Sequence, residues 1–232
     1  MALTYGPTIP GVTTGLTFYI DAAKTQSYAG GTAWNNMIKG APDCILTNSP
    51  TFNNTPPSTN FSFDGSNDYV EILGGYYAVT LGNGNAAWTV NAWTKTTTTV
   101  NSLGAGSILS NSSGGPVYSM MGVNSGKIVY WTYQNDAWSQ KLGSTTVNDG
   151  NWHMLTWVNF ANSTMAMYVD GVLDTNVANS TSGNNNPIDR IGGSWAAIYN
   201  GSIATVSIYK GTALTAAQVL QNYNSLKSRF GL

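Results

Sequence analysis

The stretch from Asn148 to Leu173, N-D-G-N-W-H-M-L-T-W-V-N-F-A-N-S-T-M-A-M-Y-V-D-G-V-L, constrains the fold more than any other part of the chain. Two runs rich in bulky apolar residues, Trp152 to Phe160 and Met165 to Leu173, flank the polar loop Ala161-Asn162-Ser163-Thr164. Aromatic and β-branched residues in short runs around turn-forming residues predict a β-hairpin. In the first run Met154, Val158 and Phe160 fall on one face, and Leu155 and Trp157 on the other. A strand apolar on both faces lies inside a sheet that is covered on each side. This hairpin therefore belongs at the centre of the fold and not at its edge.

Similar runs fill the rest of the chain. Gly15 to Asp21 predicts a first strand and Cys44 to Thr47 a short one. Trp88 to Lys95, which alternates W-T-V-N-A-W-T-K, predicts a long strand. Phe61 to Asp64 and Tyr69 to Ile72 flank the hairpin turn Gly65-Ser66-Asn67-Asp68. Further strands are expected at Ser107 to Ser110, Val117 to Val123, Lys127 to Tyr133, Ala137 to Leu142, Ile188 to Ile191 and Ser202 to Tyr209. Ala22 to Pro42, Asn48 to Asn60 and Ser180 to Pro187 read as loops. Strands this close, with no helix between them, predict an all-β fold of two packed antiparallel sheets.

One short C-terminal helix follows, at about 215–229. Thr215 and Gln218 form a capping box, and Val219, Leu220, Tyr223, Leu226 and Phe230 share the face expected to pack on the sheets. Residues 1–14, with Pro7 and Pro10, read as an extended arm, which leaves 15–232 as one domain. The arm's Leu3, Tyr5, Ile9 and Val12 are expected to lie against a neighbouring subunit.

Only 8 % of the residues are charged and the net charge is −1, against ~25 % charged in average domains. No basic footprint for nucleic acid or an acidic membrane exists. No run of apolar residues is long enough to span a bilayer. The opening M-A-L-T-Y-G-P-T-I-P-G has no basic n-region and no apolar h-region, so no signal peptide is expected. The single cysteine, Cys44, excludes an internal disulfide framework and reads as a small buried apolar residue.

W-H-M-L-T-W followed by M-Y-V-D-G-V-L resembles the W-H-x-V…L-Y-V-D-G hairpin of laminin-G-like domains. Other motifs follow in the family's order. G-L-T-F-Y-I-D-A at Gly15 resembles its opening strand, and F-S-F-D-G-S-N-D-Y-V-E-I at Phe61 its F-x-F-D-G-x-x-D-Y-V signature. A-W-T-V-N-A-W at Ala87, I-G-G at Ile191, and G-S-I-A-T-V-S-I-Y with L-T-A-A-Q-V are similar to later elements. Ala204 and Thr205 stand where many relatives carry acids. The resemblance, from Gly15 to Leu226, implies a two-sheet antiparallel jelly roll of the concanavalin A-like lectin/glucanase superfamily.

Glucanases of that superfamily place paired carboxylates on one strand in an E-x-D-x-x-E motif, as two-carboxylate glycoside hydrolysis requires. Here Glu71 is the only glutamate, and Asp64 and Asp68 sit across a turn where such side chains bond local backbone. His153 is the only histidine and reads as structural, which excludes a histidine-based zinc site. No cofactor is demanded by the sequence. The resemblance implies one candidate, calcium, held by Asp136, the Met154 carbonyl, the Ser182 carbonyl and Asn184. For sugar contact, Trp138 and Trp195 are the candidate aromatic platforms, beside Asn185 and Asn186.

The expected function is that of a non-enzymatic structural or recognition protein. Laminin-G-like domains of tailed-phage virions are the nearest analogy. They suggest a capsid decoration, head fibre or adhesin, made in the host cytoplasm and displayed on the virion surface. Its partners would be other virion proteins or copies of itself, bound through the arm, and cell-surface glycans. The alternative is a glycan-binding module of a bacterial surface or secreted protein.

Overall fold

The computed structural model describes residues 9–99, 106–112, 118–134, 137–178, 185–193 and 198–232. In chain order its strands begin with β1 Phe18–Asp21, β2 Ala33–Trp34, β3 Cys44–Thr47, β4 Thr51–Asn53, β5 Asn60–Asp64 and β6 Tyr69–Ile72. They continue with β7 Val79–Thr80, β8 Trp88–Lys95, β9 Ser107–Ser110, β10 Tyr118–Asn124, β11 Lys127–Gln134 and β12 Ala137–Thr146. Last come β13 Trp152–Phe160, β14 Thr164–Val169, β15 Val172–Ala178, β16 Pro187–Ile188, β17 Arg190–Ile191 and β18 Asn200–Lys210. The helix α1, Ala216–Leu226, ends in a 3₁₀ turn at Lys227–Phe230.

Two large antiparallel sheets result. Sheet A runs β15-β14-β13-β8-β18-β5-β4, with β1 also on β18, and sheet B runs β12-β11-β10-β9-β17-β6-β3-β2. The expected jelly-roll sandwich with one short C-terminal helix is the observed fold. The central hairpin stands, with β13 inside sheet A between β8 and β14. Its second run is not one strand, however. Asp170 and Gly171, at φ 54 and 78, turn the chain back into β15. An Asp-Gly pair with two positive φ values is a tight hairpin turn, and here it adds an edge strand.

Both faces of sheet A are buried, as the hairpin predicts. Leu155 and Trp157 of β13 join Val90 of β8 and Val206 of β18 in the core between the sheets. The Trp157 indole N–H crosses that core to donate to the Val129 carbonyl of sheet B at 3.0 Å. Met154 and Val158 point the other way, with Trp93, into a second core under α1. Cys44 is fully buried and burial pushes its thiol pKa up, so it is an inert core residue.

The capping box on α1 forms, with Thr215 Oγ1 accepting from Gln218 N–H and Gln218 Oε1 accepting from Thr215 N–H. The packing face is displaced from the expected one: Leu220 is exposed and Asn222 is buried. The reason is the N-terminal segment. Asn222 Oδ1 accepts Val12 N–H at 2.8 Å, and Tyr209 donates its hydroxyl to the Val12 carbonyl at 2.7 Å. A Cβ at Gly11, where φ is 86, would sit 2.5 Å from Asn222 Oδ1, so the close approach needs glycine. Residues 9–12 therefore dock on their own domain. The rest of the arm, 1–8, lies outside the described residues.

At the far edge of sheet A the 3₁₀ turn is fixed by one ion pair. Arg229 Nη1 donates to the fully buried Asp21 Oδ1 at 2.6 Å, while its Nη2 and Nε donate to the Thr59 and Pro57 carbonyls at 2.7 and 3.1 Å. Removing the cation strands a buried carboxylate, which costs about 3–5 kcal/mol. Arg229→Met should lower stability by about that amount in urea unfolding, with little change in m-value. A loss below about 1 kcal/mol would mean that water replaces the guanidinium.

Candidate functional site

The site is built on the outer face of sheet B. Residues alternate along β10, β11 and β12, so Met121, Val123, Ile128 and Tyr130 enter the central core while Tyr118, Met120, Val129 and Trp131 form an apolar cluster on the opposite face. Cross-strand register lines up Tyr118, Tyr133 and Trp138 in one row, and Met120, Trp131 and Gln140 in the next. Trp138 is 41 % exposed, whereas Trp131 is 9 % and Tyr118 4 % exposed. Its ring meets Tyr133 at 4.9 Å, Tyr118 at 5.4 Å and Trp131 at 6.0 Å, the last two edge to face. Three neighbours thus fix one open indole. Such edge-to-face contacts contribute about 0.5–1.5 kcal/mol each beyond area burial, so the platform is formed before any ligand arrives.

Polar groups ring the same end of the sandwich. The segment Asn185-Asn186-Pro187 passes beside the start of β10, where Ser119 donates its hydroxyl to the Pro187 carbonyl at 3.1 Å. Asn185 is exposed, as sugar contact requires. Asn186 is not. It is fully buried, its amide donating to the Gly82 carbonyl at 2.5 Å and its Oδ1 accepting from Tyr130 at 3.1 Å. Its place is in the scaffold of the rim, and its expected role in ligand contact is withdrawn. Trp195 lies outside the described residues.

Of the calcium set, the Met154 carbonyl alone belongs to the described residues. Asp136, Ser182 and Asn184 lie outside them. The Met154 carbonyl accepts Asp170 N–H at 2.9 Å, beside the turn Asn148–Asn151 that packs on Gly126. That is the end of the sandwich where β11 begins, at Lys127. Among the described residues no three His, Cys, Asp or Glu side chains converge as a metal site.

Four aspartates, Asp64, Asp68, Asp149 and Asp170, are engaged locally. Asp64 Oδ1 accepts the Ser66 N–H at 2.8 Å and Asp68 Oδ2 accepts the Asp64 N–H at 3.2 Å, the turn-capping roles expected for them. His153 lies between two aspartates, its Nδ1 2.7 Å from Asp170 Oδ2 and its Nε2 3.1 Å from Asp149 Oδ1. With both ring nitrogens so engaged, neither is left to take a proton from a nucleophilic hydroxyl.

The family model described as the concanavalin A-like lectin/glucanases superfamily, a laminin-G-like model, matches residues 64–220. The chain belongs to that laminin-G-like family. No curated protein matches its sequence. Among solved structures the domain superposes on the binding domain of botulinum neurotoxin DC, described in complex with rat synaptotagmin II, at TM-score 0.70 and 13 % identity. That match covers 92 % of this chain and 52 % of the toxin chain, so the laminin-G-like domain spans about half the length of the toxin binding domains it resembles. Domain 4 of AbnA, an extracellular arabinanase from Geobacillus stearothermophilus in complex with arabinotriose, matches at TM-score 0.66 and 15 % identity over 90 % of this chain and 98 % of its own. A Trypanosoma rangeli sialidase in complex with the inhibitor DANA matches at 0.59 and 14 %, over 94 % of this chain and 35 % of its own. At such identities the likeness is one of fold.

The partners of Trp138 were missed in the sequence, although their signal is there. Aromatic residues at period two on three successive strands, Tyr118, then Trp131 and Tyr133, then Trp138, point to one outer face. The histidine clasp left a weaker trace, since Asp149 and Asp170 are far apart in the chain. It makes a measurable prediction. Burial pulls the His153 pKa down, but the hydrogen bonds and charges of Asp170 and Asp149 outweigh it and the net shift is upward. Asp149 falls to about 2, chiefly through the Asn151 N–H. A raised histidine contributes its stability fully below the unfolded value of ~6.5 and loses it as pH rises through the folded value. The melting temperature of this laminin-G-like domain should therefore fall between about pH 6 and 8, and His153→Gln should flatten that slope. An equal slope in both proteins would rule out the clasp as its source.

Proposed function

We propose that this laminin-G-like domain is a non-enzymatic carbohydrate-recognition module whose contact surface is the aromatic outer face of sheet B. Trp138 carries the reading: an exposed indole held by three rings above the buried cluster of Tyr118, Met120, Val129 and Trp131. A sugar ring presents C–H groups to such a π-face, while exposed amides such as Gln140 and Asn185 exchange hydrogen bonds with its hydroxyls. The description of the arabinanase domain with arabinotriose supports a sugar ligand, as does that of a type C botulinum toxin dependent on ganglioside molecules. The reading of binding without hydrolysis is supported by Asp64, Asp68, Asp149 and Asp170, which are committed to turns and to His153.

The setting we propose is the surface of a tailed-phage virion, on the strength of the sequence resemblance; a bacterial surface protein is the alternative. Peptides of this protein in gradient-purified particles would support the virion. Their absence from particles, with the protein recovered on the bacterial surface, would overturn it.

Trp138→Ala is the direct test of sugar contact. It should weaken binding on a glycan array at least tenfold, about 1.4 kcal/mol, with the melting temperature lowered by only a few degrees. Undiminished binding by the variant would remove sheet B as the contact face.

A further inference from the structure

A cleft of about 300 Å³ opens at the edge of the sandwich farthest from β12, between the loop joining β1 to β2 and strand β4. Two aromatic rings line it. Tyr28 and Phe52 meet at 4.6 Å and 52°, and both rest on the buried Phe61, at 4.8 and 5.3 Å. Ala22, Ala23 and Ala29 give small apolar walls, and Thr25, Asn54 and Thr59 supply the polar atoms. Among the described residues those three side chains have no hydrogen-bond partner, so their donors and acceptors are open to a ligand.

The walls are held on both sides. Tyr28 donates its hydroxyl to the Gly31 carbonyl at 3.1 Å and its N–H to Lys24 at 2.8 Å, and Ser27 Oγ donates to the Asn35 carbonyl at 2.7 Å. Opposite, Arg229 grips the Pro57 and Thr59 carbonyls. Its guanidinium is already committed there and to Asp21. Among the described residues no charged side chain lines the cleft.

From this geometry we infer that the cleft is a second carbohydrate subsite, one that takes a single neutral sugar residue and rejects acidic sugars. Three features select that class. Partly exposed aromatic faces suit the C–H side of a sugar ring. Unpaired hydroxyl and amide groups suit its hydroxyls. The volume lies at the floor of the ~300–1,000 Å³ range of ligand pockets, enough for one residue with the rest of the chain leaving through the open side. A carboxylate entering the cleft would lose water and find no cation among the described residues that line it, a loss of several kcal/mol for an unpaired charge. The cleft shares no residue with the Trp138 platform and does not depend on it. A glycan bound at both places would gain from effective concentration.

The test is NMR titration of the whole chain with methyl β-D-galactopyranoside, N-acetylglucosamine, arabinotriose and N-acetylneuraminic acid. At least one neutral sugar should shift the Ala23 and Ala29 methyl signals, and N-acetylneuraminic acid should shift neither. Ala23→Trp and Thr25→Trp, both at exposed positions, should fill the cleft and raise the Kd for those shifts at least tenfold. Trp138→Ala should leave the shifts unchanged. No shift at Ala23 and Ala29 with any neutral sugar at high millimolar concentration would overturn the inference. So would shifts that survive in both filled variants, or equal binding of N-acetylneuraminic acid. Shifts confined to the Trp138 indole would overturn the cleft and leave the sheet B reading standing. Shifts confined to the cleft would do the reverse.

Discussion

Sheet A must be covered twice, and the rest of the architecture answers to that requirement. The strands β8, β13 and β18 carry large apolar side chains on both faces, and a sheet left bare on one side would expose Trp93, Met154, Val158 and Tyr209 to water. Burial of each such side chain contributes about 1.5–3 kcal/mol. Sheet B covers the first face. The second is closed by α1, by the 3₁₀ turn whose Phe230 stacks on Trp93 at 4.3 Å, and by the segment at Val12. The C-terminal helix is thus a second wall of the core. On the outer face of sheet B, by contrast, Tyr118, Met120, Val129 and Trp131 are buried while Trp138 stays exposed.

The sheet edges are closed as carefully as the faces. β15 and β12 end their sheets side by side, where unpaired backbone N–H groups invite association with another chain. Asp174 of β15 reaches across to accept the Ser144 and Thr145 N–H groups of β12 at 2.8 and 2.7 Å. Gly143 makes the approach possible, since a Cβ there would lie 2.2 Å from Asp174 Oδ2. A single carboxylate joins the two sheets and satisfies two edge donors. Among so few charged residues, this one and Arg229 are set at junctions where a neutral side chain would leave backbone groups unsatisfied.

Most of this fold was legible in the chain because periodicity reports burial directly. The two-faced pattern of β13 put it inside a covered sheet, and W-T-V-N-A-W-T-K gave β8 at its true ends. What stayed hidden depends on partners remote in sequence. Asn222 reads as a solvent-facing helix residue until Val12 is seen to need its carbonyl oxygen. Asn186 reads as a loop amide free for a ligand until Tyr130 and Gly82 are seen to hold it. The break at Asp170-Gly171 was readable from turn chemistry, but the family hairpin motif runs through it and obscured the extra strand. Trp138 was legible as a candidate. Its fixed orientation was not, since that comes from rings on two other strands.

The low charge of the chain bears on specificity as well as solubility. Charged rims steer ligands over long range and make binding depend on salt, whereas among the described residues neither the Trp138 row nor the Tyr28 cleft has an ionic group at its centre. Selection at such surfaces rests on shape and on hydrogen-bond matching: a buried group left unpaired costs about 1–3 kcal/mol, and the wrong hydroxyl pattern leaves one unpaired. Each contact is individually weak, because an open platform buries only part of a sugar. A surface of this kind discriminates among neutral glycans through several modest contacts spread over one rigid body. The rigidity comes from sheet A and its two cores, against which both the Trp138 row and the Tyr28 cleft are held.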